Sequence, residues 1–480
     1  MSLISNAKWN SFSQIFKVIS QVVNIVYLAR IIPPSEYGVM AMALVVVNLG
    51  ILLRDMGTSA VLIQRRELSS TLINTVFWMN TISGIIIGVI VFFLSPVIAS
   101  VYKQDELISV LMLLSLIFPL SSCAATHLAL LERDSRFKRI SYIEITSSLS
   151  GLIVAIFLAN LGFGIYSLVF QSIVMTGMSA LQFWFASNWK PSFRKFICIE
   201  ELKGIFGFSG NLALFNFVNY FSRNADSFIV GKFMSASILG CYNLAYRIML
   251  FPLQSITFVA ARSLYPVLSR NQDDHDLIGN IYLRAVFFIS CITFPLMSGL
   301  AVVSSQFVTL VFGEQWTLTA EILTWLAPTA IIQSILSTTG SVFMAKNSTY
   351  LMMKLGILGS VFQVGAFLIG VHYTIVTFAM LYLIANILNF FPTMFYLLKI
   401  INVSWTRFIF NILPAIASTI IMIVSLYVLN YFVDIHSYSN LVGLFIQSIF
   451  GFFVYIASIS LLSKKIRMLI RNVLIQEISL

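Results

Sequence analysis

Charge is scarce in this sequence. Of 480 residues only 10% are Asp, Glu, Lys or Arg, and acids number 18 against 29 bases. A soluble globule carries about 25% charged residues, so a water-facing surface is excluded for most of the chain. The four histidines, His127, His275, His372 and His436, are scattered, and no helix carries a zinc-type pair. No glycine-rich phosphate loop with a following lysine is present, so ATP hydrolysis is not encoded here. The cysteines Cys123, Cys198, Cys241 and Cys291 have no metal-type spacing and read as packing residues. QDDHD at 272–276 lies in a polar connection and reads as a solvated acidic turn. The opening stretch MSLISNAKWNSFSQIFKVIS lacks the charged end, apolar run and cleavage site of a signal peptide, so none is expected. The connections, widest at 188–204 and 262–280, leave no room for a soluble domain. That argues against a glycan polymerase or acyltransferase, which would keep its reactive residue in a large outer loop. No enzyme activity, cofactor or metal is expected.

Hydrocarbon fills the chain instead. The residues are 59% hydrophobic and the mean hydropathy is +0.94. A membrane helix needs about 20 mainly apolar residues. On that rule the sequence predicts an all-α polytopic membrane protein of fourteen spans: 8–29, 37–63, 70–94, 107–130, 140–160, 164–187, 205–230, 238–261, 281–303, 317–343, 350–371, 374–397, 407–431 and 440–462. With the N-terminus placed in the cytoplasm, 21 of the 29 basic residues fall on cytoplasmic segments. Only Arg30, Lys103 and Lys232 fall outside. This bias is the positive-inside pattern and sets both termini inside. It also accounts for most of the net charge of +11, so no nucleic-acid partner is needed.

The chain repeats itself. ARIIPPSEYGVMAMA (29–43) and GKFMSASILGCYNLA (231–245) share a pattern at an offset of 202 residues, pairing Arg30 with Lys232 and Gly38 with Gly240. The same offset maps Gln14, Lys17, Gln21 and Asn24 onto Asn216, Asn219, Arg223 and Asp226. Further on it drifts to about 209, where SVYKQDELISVLMLLSLIFP (100–119) parallels LVFGEQWTLTAEILTWLAP (310–328). Helices 1–6 therefore repeat as helices 7–12, a parallel repeat in two six-helix lobes, 1–195 and 196–400. Residues 401–480 add two helices and a basic tail. Transporters commonly place substrate where such repeats meet.

The polar residues inside the spans carry the functional question. Gln14, Lys17, Gln21 and Asn24 have the spacing of one helical stripe, as do their counterparts. One reading is a polar seam bonding neighbouring helices. The other is that helices 1 and 7 line a hydrated cavity. Arg54 and Asp55 are adjacent, so they point about 100° apart on a helix and do not pair. They lie roughly 16 Å inside the basic end at Arg65. Charges at such depth need partners or a wet cavity. For Arg54, substrate contact and a structural ion pair are both open; for Asp55 a structural partner is the stronger reading. GTSA (57–60) offers small residues for close helix approach. Arg223 and Asp226 form an i, i+3 set, either an intrahelical pair or a site for a phosphate and a cation. Arg247 is embedded likewise, and Arg284 and Glu144 read as interfacial anchors.

Read together, LLRDMGTSAVLIQRRE, ALLERDSRFKRI, YFSRNADSFIVGKF, LGCYNLAYRIMLFP and VFGEQW resemble the Wzx-type polysaccharide transporters of the MATE-like flippase superfamily, over residues 10–400. The resemblance implies a V-shaped pair of lobes with alternating access in the bacterial inner membrane. The implied cargo is an undecaprenyl-diphosphate-linked oligosaccharide, carried for O-antigen, capsule or exopolysaccharide assembly. A diphosphate needs cationic partners, which Lys17, Arg54, Arg223 and Arg247 supply, with Gln21, Asn24, Asn216 and Asn219 as further substrate-binding candidates. Asp55 and Asp226 become candidates for proton or sodium coupling, and a polymerase or assembly complex becomes a candidate partner. Two alternatives share the architecture. A drug/cation antiporter would favour an acidic cavity, against four bases and two acids here; a peptidoglycan-precursor flippase suits the same cationic cavity.

Overall fold

The computed structural model describes residues 3–55, 61–63, 65, 68–193, 197–198, 220–221, 223–270, 274–433 and 439–468. Of residues 3–15, 17, 55 and 254–263 only the backbone is described. Among the described residues all regular structure is helical. This follows from the solvent: hydrocarbon offers backbone groups no partner, so each span must satisfy its own.

The first part of the chain holds α1 (Leu3–Ile31), α2 (Pro34–Asp55), α3 (Ser70–Tyr102), α4 (Glu106–Leu114), α5 (Ile117–Arg133), α6 (Phe137–Asn160), α7 (Ile165–Ala186) and α8 (223–233). Then come α9 (Ala236–Arg270), α10 (His275–Val302), α11 (Ser304–Phe312), α12 (Thr317–Leu336), α13 (Thr339–Ala345), α14 (Thr349–Gly370), α15 (Ile375–Ile400), α16 (Trp405–Phe432) and α17 (Asn440–Leu462). Serine, threonine and aspartate side chains start several of them. Ser69, Asp274, Thr374, Ser404 and Ser439 each accept the backbone N–H three residues on. Asp274 in this role accounts for part of the acidic turn; Gln272 and Asp273 lie outside the described residues.

Twelve of the fourteen expected spans are helices long and apolar enough to cross a membrane. The other two are 8–29, whose helix has the shorter apolar stretch Val18–Ile31, and 205–230, which falls largely outside the described residues. Large apolar side chains coat the outside: Phe93, Phe185, Tyr431 and Phe432 are each more than 70% exposed, as suits a lipid-facing surface.

The repeat is visible in the helix boundaries. Pro34 and Ala236, 202 apart, start α2 and α9. α1 ends at Ile31 and α8 at 233, again 202 apart. Later the offset grows: Ser135 and Asn347, both in the left-handed region, precede α6 and α14 at an offset of 212. Packing repeats as well. Within the first stretch α3 packs on α5, α5 on α7 and α6 on α7; within the second, α10 packs on α12, α12 on α15 and α14 on α15. The chain separates into two compact units, Met1–Gly240 and Cys241–Leu480.

Two expected spans are broken. The span at 107–130 interrupts at Ser115–Leu116, where Pro119 has no N–H for the Ser115 carbonyl and the Ser115 hydroxyl donates to Met112 O at 2.6 Å. The span at 317–343 breaks at Ser337–Thr338, whose hydroxyls donate to Ser334 O and Ile335 O.

Candidate functional site

α1 packs along α6, fixed near one end by the Tyr27 hydroxyl and the Asn160 side chain at 2.9 Å, and carries the polar stripe. On that stripe Gln21 is exposed. Asn24 is half-buried, with its Oδ1 out of contact with solvent and accepting no hydrogen bond among the described residues. A buried acceptor left open is costly, so Asn24 faces a place where a donor would be stabilising. Lys17 lies on the same helix by its backbone; its side chain is outside the described residues, as is that of Gln14.

Arg54 closes α2. It is 9% exposed and its guanidinium donates to Ser121 Oγ on α5 at 2.8 Å. Ser121 stands one turn beyond the Ser115 break, so the interruption between α4 and α5 sets where this acceptor sits. The Ser121 hydroxyl is a neutral acceptor that orients the guanidinium. The Asp55 side chain and GTSA lie outside the described residues.

α8 supplies the equivalent charges in the other repeat. Arg223 is exposed and makes no ion pair or hydrogen bond among the described residues. Asp226 is buried, and its Oδ1 accepts the Ser227 N–H at 2.6 Å. The intrahelical Arg223–Asp226 pair is therefore not formed. α8 is held on α2 and α3 by the Tyr220 hydroxyl donating to Val45 O, and by Phe228 edge-on to Tyr102 at 5.8 Å. Asn216 and Asn219 lie outside the described residues. The unit Met1–Gly240 thus holds Gln21, Asn24, Arg54, Arg223 and Asp226. Arg247 is exposed on α9, in the unit Cys241–Leu480.

One polar layer was missed by the sequence reading. His127 on α5 is fully buried with neither ring nitrogen hydrogen-bonded among the described residues, boxed by Phe77, Trp184 and Trp189 at centroid distances of 5.0–6.0 Å. The segment after α7 folds back over α3, where Asn74 exchanges two hydrogen bonds with Ser192, each 2.8 Å, and Trp78 Nε1 donates to Ser192 O. The first part of the supposed linker 188–204 is therefore docked. Its signal was the pair of aromatics Trp189 and Phe193 in an otherwise polar run.

Helices in a repeated packing pattern, with arginine and aspartate buried in apolar spans, define a polytopic membrane transporter. The chain belongs to the polysaccharide biosynthesis protein family, whose model matches residues 27–321. It is 27% identical over 427 residues to the teichuronic acid biosynthesis protein TuaB of Bacillus subtilis, covering 88% of this chain and 87% of that one. It is 26% identical to the lipopolysaccharide biosynthesis protein WzxC of Escherichia coli, covering 88% and 86%. Among solved structures, the lipid II flippase MurJ in an inward closed conformation matches with a TM-score of 0.72 at 15% identity, over 96% of this chain and 99% of that one. An inward-facing MATE family multidrug resistance transporter of the MOP superfamily matches with a TM-score of 0.63 at 16% identity, over 80% and 94%. The structural likenesses show the fold. The family match and these relatives bear out the resemblance to Wzx-type polysaccharide transporters.

Proposed function

We propose that this chain is a flippase, not an enzyme. It moves undecaprenyl-diphosphate-linked oligosaccharide units across the bacterial inner membrane for surface-polysaccharide assembly. The observation that carries this reading is near end-to-end alignment with proteins named for teichuronic acid and lipopolysaccharide biosynthesis. The intramembrane chemistry supports it. The diphosphate is the charged group common to every such cargo whatever its sugars, and Lys17, Arg54, Arg223 and Arg247 are its partners in the proposal. Gln21, Asn24, Asn216 and Asn219 meet sugar hydroxyls. The prenyl chain stays in lipid, since each of its many carbons would cost free energy in a wet cavity.

The proposal keeps fourteen spans with both termini cytoplasmic, arranged as two six-helix lobes, 1–195 and 196–400, with two further helices in 401–480. It assigns Asp55 and Asp226 to coupling with H+ or Na+. A buried carboxylate that gains and loses a cation changes the net charge of the cavity, which would alternately favour and release a phosphate. The polysaccharide polymerase or its assembly complex is the proposed partner on delivery.

Coupling has a direct test. In cells supplied with lipid-linked precursor, collapse of the coupling gradient should cut surface glycan at least tenfold while precursor accumulates. Glycan output insensitive to both proton and sodium ionophores would remove Asp55 and Asp226 from that role and leave the cargo assignment standing.

A further inference from the structure

At the basic end of the unit Cys241–Leu480, three cations from separate segments converge, with no carboxylate between them among the described residues. Arg284 lies on α10, Arg407 in the first turn of α16, and Lys465 just past α17. Neutral amides hold Arg407 and Lys465. Asn411, one turn beyond Arg407, donates to Leu283 O at 2.7 Å and accepts from Lys465 Nζ at 2.6 Å. Arg407 donates to Asn280 Oδ1 at 2.8 Å. Lys465 also stands 5.0 Å over the ring of Phe287. Arg284 makes no hydrogen bond or ion pair among the described residues.

Among the described residues no carboxylate pairs with these cations. Partial burial lowers the Lys465 pKa, as does the Arg284 guanidinium; the Cys291 thiol opposes this, and Arg407 adds a smaller lowering. An amide partner orients a cation and leaves its field intact, so the cluster stands ready for an external anion. Its surroundings decide which one. Phe288 beside Arg284, Phe410 beside Ile409, and Leu461 and Leu462 before the tail are all large, apolar and exposed. A soluble anion has no use for them, whereas acyl chains do.

We propose that Arg284, Arg407 and Lys465 bind the phosphodiester headgroup of an anionic glycerophospholipid, with its acyl chains along α10, α16 and α17. The site lies outside the cargo-contacting residues and goes beyond the transport reading. Basic pockets between membrane helices take anionic headgroups by this chemistry, at about 1 kcal/mol for each base near the surface.

The test uses the full chain purified in detergent and mixed with equal amounts of phosphatidylglycerol and phosphatidylcholine; the retained lipid is measured by mass spectrometry. The wild type should retain phosphatidylglycerol preferentially. Arg284→Gln should reduce that preference about fivefold, the equivalent of one such contact, and adding Lys465→Gln should reduce it further. Arg284→Lys, which keeps the charge, should preserve it and shows that the position tolerates change. Equal preference in the wild type and Arg284→Gln would overturn the proposal. So would displacement of the lipid by excess inorganic phosphate, which would mark a soluble-anion site.

Discussion

Replacing Arg54 with alanine should abolish surface polysaccharide at normal membrane levels of the protein, leaving lipid-linked units on the cytoplasmic face. Arg223→Ala should do the same. A charge-assisted hydrogen bond contributes about 1.5–3 kcal/mol, so losing one contact to a diphosphate slows transport on the order of 10- to 100-fold. Arg54 is the sharper case because it is buried and its bond to Ser121 can be removed separately. A structural role and a substrate role make different demands here. If the guanidinium serves only to tie α2 to α5, Ser121→Ala should be as damaging as Arg54→Ala. If it serves the cargo, Ser121→Ala should cost no more than a few-fold, and Arg54→Lys should recover part of the output through its charge while losing the forked geometry. Glycan assayed on intact cells, with protein quantified in membranes, separates these outcomes.

The second large effect is steric. An added Cβ at Gly38 would lie 1.7 Å from Ala236 O, and one at Gly240 would lie 1.9 Å from Pro34 O. Both contacts are within the unit Met1–Gly240. Pro34 and Ala236 are themselves 202 apart, as are Gly38 and Gly240, so the contact is reciprocal under the repeat. Each helix start uses its glycine to admit the backbone of the other. The obstructing atoms are main-chain carbonyls and cannot rotate away, so Gly38→Ala and Gly240→Ala should each cost about 3 kcal/mol, the upper end of overpacking penalties. By the reciprocity the two losses should be similar. Thermal midpoints of the purified variants read this. A contrasting substitution is Gly356→Ala on α14, where nothing lies within 4 Å of the added atom, and it should leave the midpoint near that of the wild type.

How much of this was legible beforehand depends on range. The helices were, because twenty apolar residues in a row leave a chain little choice in a bilayer. The repeat was too, since the 202 offset recurs where α2 and α9 begin. Gly38 and Gly240 were legible as equivalent positions. That they touch each other's helix was not, because pairing across about 200 residues leaves no local pattern. The same limit hid Ser121 as the acceptor for Arg54, 67 residues away. Pro119 was seen inside a span, yet the resulting break at Ser115–Leu116 depends also on the serine hydroxyl competing for a backbone carbonyl. The His127 box escaped notice because its walls come from α3, α7 and the segment after α7. For Arg223 and Asp226 the i, i+3 spacing allowed an ion pair, but burial separates them: the carboxylate is turned inward onto the Ser227 amide and the guanidinium outward.

The central claim is that cations within the spans receive a lipid-linked diphosphate and carry it through the membrane. Reconstitution of the purified chain into vesicles tests it most directly, with a fluorescent undecaprenyl-diphosphate glycan whose transbilayer movement is followed by chemical quenching. The account predicts movement by the wild type, a rate lowered at least tenfold by Arg54→Ala, and no movement of the same glycan on a neutral prenyl carrier. Equal movement of the charged and neutral carriers, or of the charged carrier by wild type and Arg54→Ala, would contradict it.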